Sequence, residues 1–211
     1  DGVRTLISQA TSIQSAIADL LQSAASQVAS GRLMAEGDGS AAQLFLQVLA
    51  TDPDNESATQ GLLQITTTVI AQTRQLLEQG AIGSAQAMLD LAEAEGLNAT
   101  PIASMREQID SEITRRRQIA VGLEQASVLF DQGFITAPVG NNAVALLRGV
   151  LQLDPGNEQA NTLLGQCANR LAQVAAQARE ADMLIQARAY LALALSIRPD
   201  VEQWQAWEQA W

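Results

Sequence analysis

The sequence predicts an all-α fold: an α-solenoid of antiparallel helix pairs, built from two tandem copies of a unit about 102 residues long. Three observations predict it. Apolar residues recur three and four apart, the spacing that lines one face of a helix. No run alternates in the two-residue rhythm of a strand rich in β-branched residues. The chain also matches itself without gaps at an offset of 102, with 22 identities in the 78 positions of 20–97 against 122–199.

The elements follow in order. A first helix is expected over 3–30, closed by Gly31, and a second over 39–51, where Leu44, Val48 and Leu49 form one stripe. Asp52-Pro53-Asp54-Asn55 then stops it, because proline lacks the amide a helix needs and disfavours helix at the residue before it. Asn55 is suited to cap a helix over 55–79, its side-chain oxygen accepting an orphan amide, and Gly80 ends that helix. Ala85, Met88, Leu89 and Ala92 mark a helix over 82–95, with Gly96 after it. The second copy repeats the series: 101–132 closed by Gly133, 141–153 after Gly140, the turn Asp154-Pro155-Gly156-Asn157, then 157–181 and 184–197. A last helix is expected over 200–210. The domains read as 1–100, 101–199 and a capping helix at 200–211.

These residues resemble the tetratricopeptide repeat (TPR) family, in a divergent form. Ala187, Leu191, Ala194 and Pro199 carry its helix B signature in full; Ala41, Phe45, Val48, Pro53 and Ala143, Leu147, Val150, Pro155 carry it with valine for alanine. Ala85, Leu89 and Ala92 fit as far as Leu97, where the proline is missing. Proline positions are spaced by 44 or 58 rather than the family's shorter period, so the helices after each Asp-Pro turn are longer. The resemblance implies stacked helix pairs that bury a continuous core and present a concave surface to a peptide. The second copy, with Gly140-Asn141-Asn142-Ala143 and Val150 to Asn157, also looks like helical-repeat modules of membrane-anchored bacterial envelope and signalling proteins. That likeness favours the periplasm or cell envelope over the cytoplasm.

Composition narrows the chemistry. Alanine (37) and glutamine (25) supply 62 of 211 residues; all twelve basic residues are arginine, and histidine and lysine are absent. With one cysteine besides, no His-based triad, Schiff-base lysine, Walker lysine or Cys/His zinc site can be assembled. No catalytic residue, metal or cofactor is expected. A net charge of −11 argues against nucleic acid, whose phosphates are held by Lys and Arg. No apolar run reaches the length of a membrane span, so no insertion within these residues is expected. Beginning at Asp1 without methionine, the chain reads as a fragment or a processed product.

Three sets of residues are candidates for partner binding, each with a plainer alternative. Gln60, Gln64 and Thr67 in one copy, and Thr162, Gln166 and Asn169 in the other, lie on the helix type that the TPR resemblance assigns to the peptide groove; they can equally just face water. Arg115, Arg116 and Arg117 form the one basic run, fit to grip an acidic peptide, or else a solvated helix face paired with nearby carboxylates. Trp204, Trp207 and Trp211 share one helix face and hold every tryptophan of the chain, as an aromatic anchor or as the packing of a capping helix.

Asp90, Glu93 and Glu95 show no ligand spacing; Asp38 and Asn142 suit turns and caps; Asn98-Ala99-Thr100 matches a glycosylation acceptor; Cys167 reads as a small core residue. The expected function is a non-enzymatic module that binds a protein or peptide. The alternative is a structural spacer or self-association segment of a larger membrane-anchored envelope protein, and the oligomeric state stays open.

Overall fold

A computed structural model describes residues 2–35, 39–97 and 100–211. Among the described residues there are nine α-helices and no strand: α1 (Gly2–Ala29), α2 (Ala41–Thr51), α3 (Glu56–Glu78), α4 (Ile82–Ala94), α5 (Thr100–Asp131), α6 (Ala143–Leu153), α7 (Glu158–Glu180), α8 (Leu184–Ile197) and α9 (Glu202–Ala210). Each agrees with its expected span to within two residues, and the differences are mostly caps. Ser40, Asn55, Asn142 and Asn157 stand just outside their helices and accept the amide three residues on. Asp38 and Asn98 lie outside the described residues.

The two Asp-Pro turns have the same hydrogen bonding. Asn55 accepts from the Ala58 amide and donates to Asp52 Oδ2, both at 3.0 Å. Asn157 does likewise with Ala160 at 2.9 Å and Asp154 Oδ2 at 3.0 Å. One asparagine therefore satisfies a helix amide and ties the turn closed, which explains why the type recurs 102 residues on. The stops of α3 and α7 also coincide. Gly80 at φ 77° and Asp182 at φ 62° each take the left-handed conformation that lets the next amide reach back to the helix. Ala81 donates to the Leu76 carbonyl and Met183 to that of Ala178, at 2.9 and 2.8 Å. Glycine adopts that backbone at no steric cost, whereas Asp182 bears a small one.

The chain divides into two compact units, Asp1–Ile113 and Thr114–Trp211, and the division falls inside α5. Unit 1 comprises α1 to α4 and the first half of α5; unit 2 comprises the second half of α5 and α6 to α9. In unit 1, α2 packs on α1 and α3, and α3 on α4. Its core is filled by Ala41, Phe45 and Val48 of α2, Ala85, Leu89 and Ala92 of α4, Ile65 and Val69 of α3, and Ile102, Met105 and Ile109 of α5. In unit 2, α7 packs on α6 and α8, and α8 on α9. There the core takes Ala143, Leu147 and Val150, then Ala187, Leu191 and Ala194, with Cys167, Leu171 and Ala175 of α7. Ala41, Ala85, Ala143 and Ala187 are all fully buried, so alanine is used where a helix backbone comes close to its neighbour.

Many positions buried in unit 1 are thus matched 102 residues on by positions buried in unit 2. The connection before α2 docks through Ala41 N–H to the Arg32 carbonyl and Ala42 N–H to that of Leu33. Before α6 the same two bonds run from Ala143 to Phe134 and from Val144 to Ile135. Where side chains differ, the units trade one solution for another. Buried Ser40, the cap of α2, donates to the Glu95 carboxylate at the end of α4, and Gln43 Nε2 donates to the other oxygen at 3.0 Å. Unit 2 has Asn142, Ile197 and Ala145 at these places, and Asn142 donates instead to the Pro138 carbonyl at 2.8 Å.

Candidate functional site

The amide and hydroxyl row lies where helix geometry requires. Gln60, Gln64 and Thr67 are exposed along one side of α3, at i, i+4 and i+7, while Ile65, Val69 and Thr73 are buried. Thr162, Gln166 and Asn169 form the same exposed row on α7, backed by buried Cys167, Ala168 and Leu171. The three glutamines and Asn169 offer both donors and acceptors, the inventory that satisfies the backbone of an extended peptide. Thr67 differs, since its hydroxyl donates back to the Leu63 carbonyl at 2.8 Å. It retains acceptor capacity only.

The arginine run does not act as one patch. Successive helix residues are turned about 100° from one another, so three in a row cannot share a face. Arg115 and Arg116 line an open cleft of about 540 Å³ in unit 2, together with Ile119, Leu123, Glu124, Asp154 and Gln159. Arg117 lines a different groove of about 600 Å³, with Val121, Gly122, Leu146 and Val150. Arg115 Nη1 donates to the Leu153 carbonyl at 3.0 Å, placing a cation at the negative end of α6. With Glu124 and Asp154 on the same walls, the first cleft offers mixed charge rather than a purely anion-seeking surface.

The tryptophans pack inward. Trp204 is buried in the unit 2 core, with Trp207 and Trp211 partly buried against it. The latter two rings stack at 5.3 Å between centroids, with 12° between planes. The Arg188 guanidinium donates to the Trp211 carbonyl. At the offset of 102, Trp204, Trp207 and Trp211 correspond to Ile102, Met105 and Ile109, which are buried in unit 1. The stripe therefore occupies core positions in both units.

The remaining polar groups are engaged structurally. Arg106 joins Asp90 at 2.7 Å and Glu93 at 2.8 Å, which raises the arginine's pKa through those two bonds. Arg198 holds Asp200 at 2.7 Å and lowers that carboxyl to about 2. Burial pushes the Cys167 thiol up to about 11, so it remains protonated and inert at neutral pH. Among the described residues no cluster of His, Cys, Asp and Glu could hold a metal ion, and no helix is long and apolar enough to cross a membrane.

Two features escaped sequence reasoning. The Ser40–Glu95 contact joins residues 55 apart in the chain, and no local pattern announces such a pair. The exposed apolar start of α1, with Val3, Leu6, Ile7 and Ile13, was legible in the three-and-four spacing, but its exposure was not. Comparison of the chain with protein-family models, curated proteins and solved structures finds no match in any of the three.

Proposed function

We propose that this chain is a non-enzymatic interaction module whose two units are tandem TPR-like repeats of the α-solenoid class, binding a protein or peptide along the exposed polar rows of α3 and α7. The observation that carries this reading is the recurrence of the rows. Gln60, Gln64 and Thr67 are matched, residue for residue at an offset of 102, by exposed Thr162, Gln166 and Asn169. Chemistry of the side chains supports it, because the sequence holds no histidine or lysine and its single thiol is buried. Arg115 and Arg116, which line the unit 2 cleft beside Glu124 and Asp154, offer guanidinium donors to the carboxylates of a partner segment.

The test is retention of native-host proteins on the immobilised chain, compared with variants in which Gln64 and Gln166 become glutamate, or Arg115 and Arg116 do. Partners lost in the row variants, with melting temperature unchanged, support the reading. An unchanged set of retained proteins in every variant overturns it.

A second reading, a structural spacer or self-association segment of a larger membrane-anchored envelope protein, is favoured by the exposed apolar start of α1. Light scattering separates the two, since a spacer that works by self-association elutes as a concentration-dependent oligomer.

A further inference from the structure

The first half of α1 carries an apolar face with nothing described against it: Val3, Leu6, Ile7 and Ile13 are 72, 66, 61 and 50% exposed. The same face continues into Ile17, Leu20, Leu21, Ala24 and Val28, which pack into the unit 1 core. One helix thus bears one stripe, buried in its second half and bare in its first. Contiguous exposed apolar surface of this kind marks a docking site.

The chain itself shows what such a half-helix docks on. At the offset of 102, Val3 corresponds to Met105, Arg4 to Arg106 and Ile7 to Ile109. Met105 and Ile109 are buried in unit 1, and Arg106 is bonded to Asp90 and Glu93, one turn apart on α4. Arginine and the second isoleucine are identical in the two helices, and valine stands for methionine. The next equivalents, Trp207 and Trp211, pack in the unit 2 core. At this register, both half-helices with a four-helix unit before them are spent on that unit's core.

We infer that the Val3–Arg4–Ile7 face is a docking surface for one further helical-repeat unit of unit 1's kind, presenting an apolar groove rimmed by an Asp-x-x-Glu pair on its α4-type helix. Charge selects this occupant, because Arg4 stands where Arg106 meets its two carboxylates. A second copy of this chain is a poorer fit. Its own α4 face is already covered by Met105 and Ile109, and its own unit 2 core by the tryptophans. The inference concerns a surface other than the polar rows, and it stands whether or not those rows bind a peptide.

The experiment supplies such a unit. Residues 1–103 are joined directly to 2–211, so that the α1 sequence takes the place of α5 against an added copy of unit 1. In the 211-residue chain, Ile7→Ala is expected to leave the melting temperature unchanged. In the three-unit chain it should lower it by several degrees, as Ile109→Ala should in the parent, and Arg4→Ala and Asp90→Ala in the added unit should be non-additive. An Ile7→Ala change silent in both chains overturns the inference. If the three-unit chain does not fold, replacing residues 104–110 of the parent by the sequence of 2–8 decides the matter. Cooperative melting near the parent's temperature supports the fit, and a collapse of unit 1 as severe as that of Ile109→Asp overturns it. A parent chain that is dimeric by light scattering and made monomeric by Ile7→Glu also overturns it, in favour of self-association.

Discussion

The ring of Phe45 lies directly against the backbone of Gly61: a Cβ placed on that glycine would come within 2.4 Å of the ring. Glycine in the middle of α3 costs about 1 kcal/mol of helix propensity relative to alanine, and the aromatic ring is what it makes room for. In unit 2 the same two positions hold Leu147 and Leu163. A ring over bare backbone in one unit is thus exchanged for a pair of leucines in the other. Gly61→Leu is expected to destabilise by ~1–3 kcal/mol through overpacking. Adding Phe45→Leu should recover most of that loss, and urea unfolding of the four chains of the cycle measures the coupling. Strictly additive losses would show that the two positions do not share one space.

Buried Ser40 both caps α2, accepting the Gln43 amide at 3.2 Å, and donates to Glu95. Ser40→Ala removes the cap and strips a hydrogen bond from a buried carboxylate oxygen. The expected loss is on the order of 1–3 kcal/mol, seen as a lower urea midpoint with an unchanged slope.

Trp204→Ala should cost ~3 kcal/mol, since it empties the largest side chain of the unit 2 core. Trp204→Ile and Trp207→Met install the residues unit 1 uses at these positions, and each should cost less. Thermal unfolding ranks them. If Trp204→Ala melts with the parent yet loses a binding partner, the stripe is an anchor rather than packing.

The Thr73 hydroxyl is fully buried without a hydrogen-bond partner, and unit 2 has Ala175 at that place. Thr73→Val keeps the shape and removes the cost of an unsatisfied hydroxyl. A gain of about 1 kcal/mol is expected. A lowered urea midpoint would mean that the hydroxyl is satisfied in solution.

Cys167 gives the pH dependence a sign. The folded thiol keeps its proton up to about 11, against an ordinary value of 9.0. Between those values folding takes up a proton, so stability is fully present below pH 9 and falls as pH rises towards 11. Cys167→Ala should flatten that part of the curve. Alkylation at pH 8 should proceed only as fast as the helix opens, and reaction at the rate of a free thiol would contradict the burial.

The nine helices of the described residues are legible in the sequence because their signals are local. The asparagine of each Asp-Pro turn, the helix stop at Gly80 and the three-and-four stripes all act within a few residues, whereas no glycine announces the stop at Asp182. The polar rows were partly legible, since spacing put Gln60, Gln64 and Thr67 on one side of a helix. Arg115, Arg116 and Arg117 were not, because adjacency in sequence hid their division between two grooves.

Composition left no histidine or lysine for chemistry to use, and local patterning set the nine helices of the described residues, since capping and periodicity are properties of short segments. Tertiary structure alone decided which stripes are covered. The apolar residues of α1 share one face from Val3 to Val28, yet only the second half meets a neighbour. It also decided how each unit fills its core, with Phe45 over Gly61 in one and Leu147 with partly buried Leu163 at those positions in the other. Volume is a property of the space between helices, and no single segment encodes it.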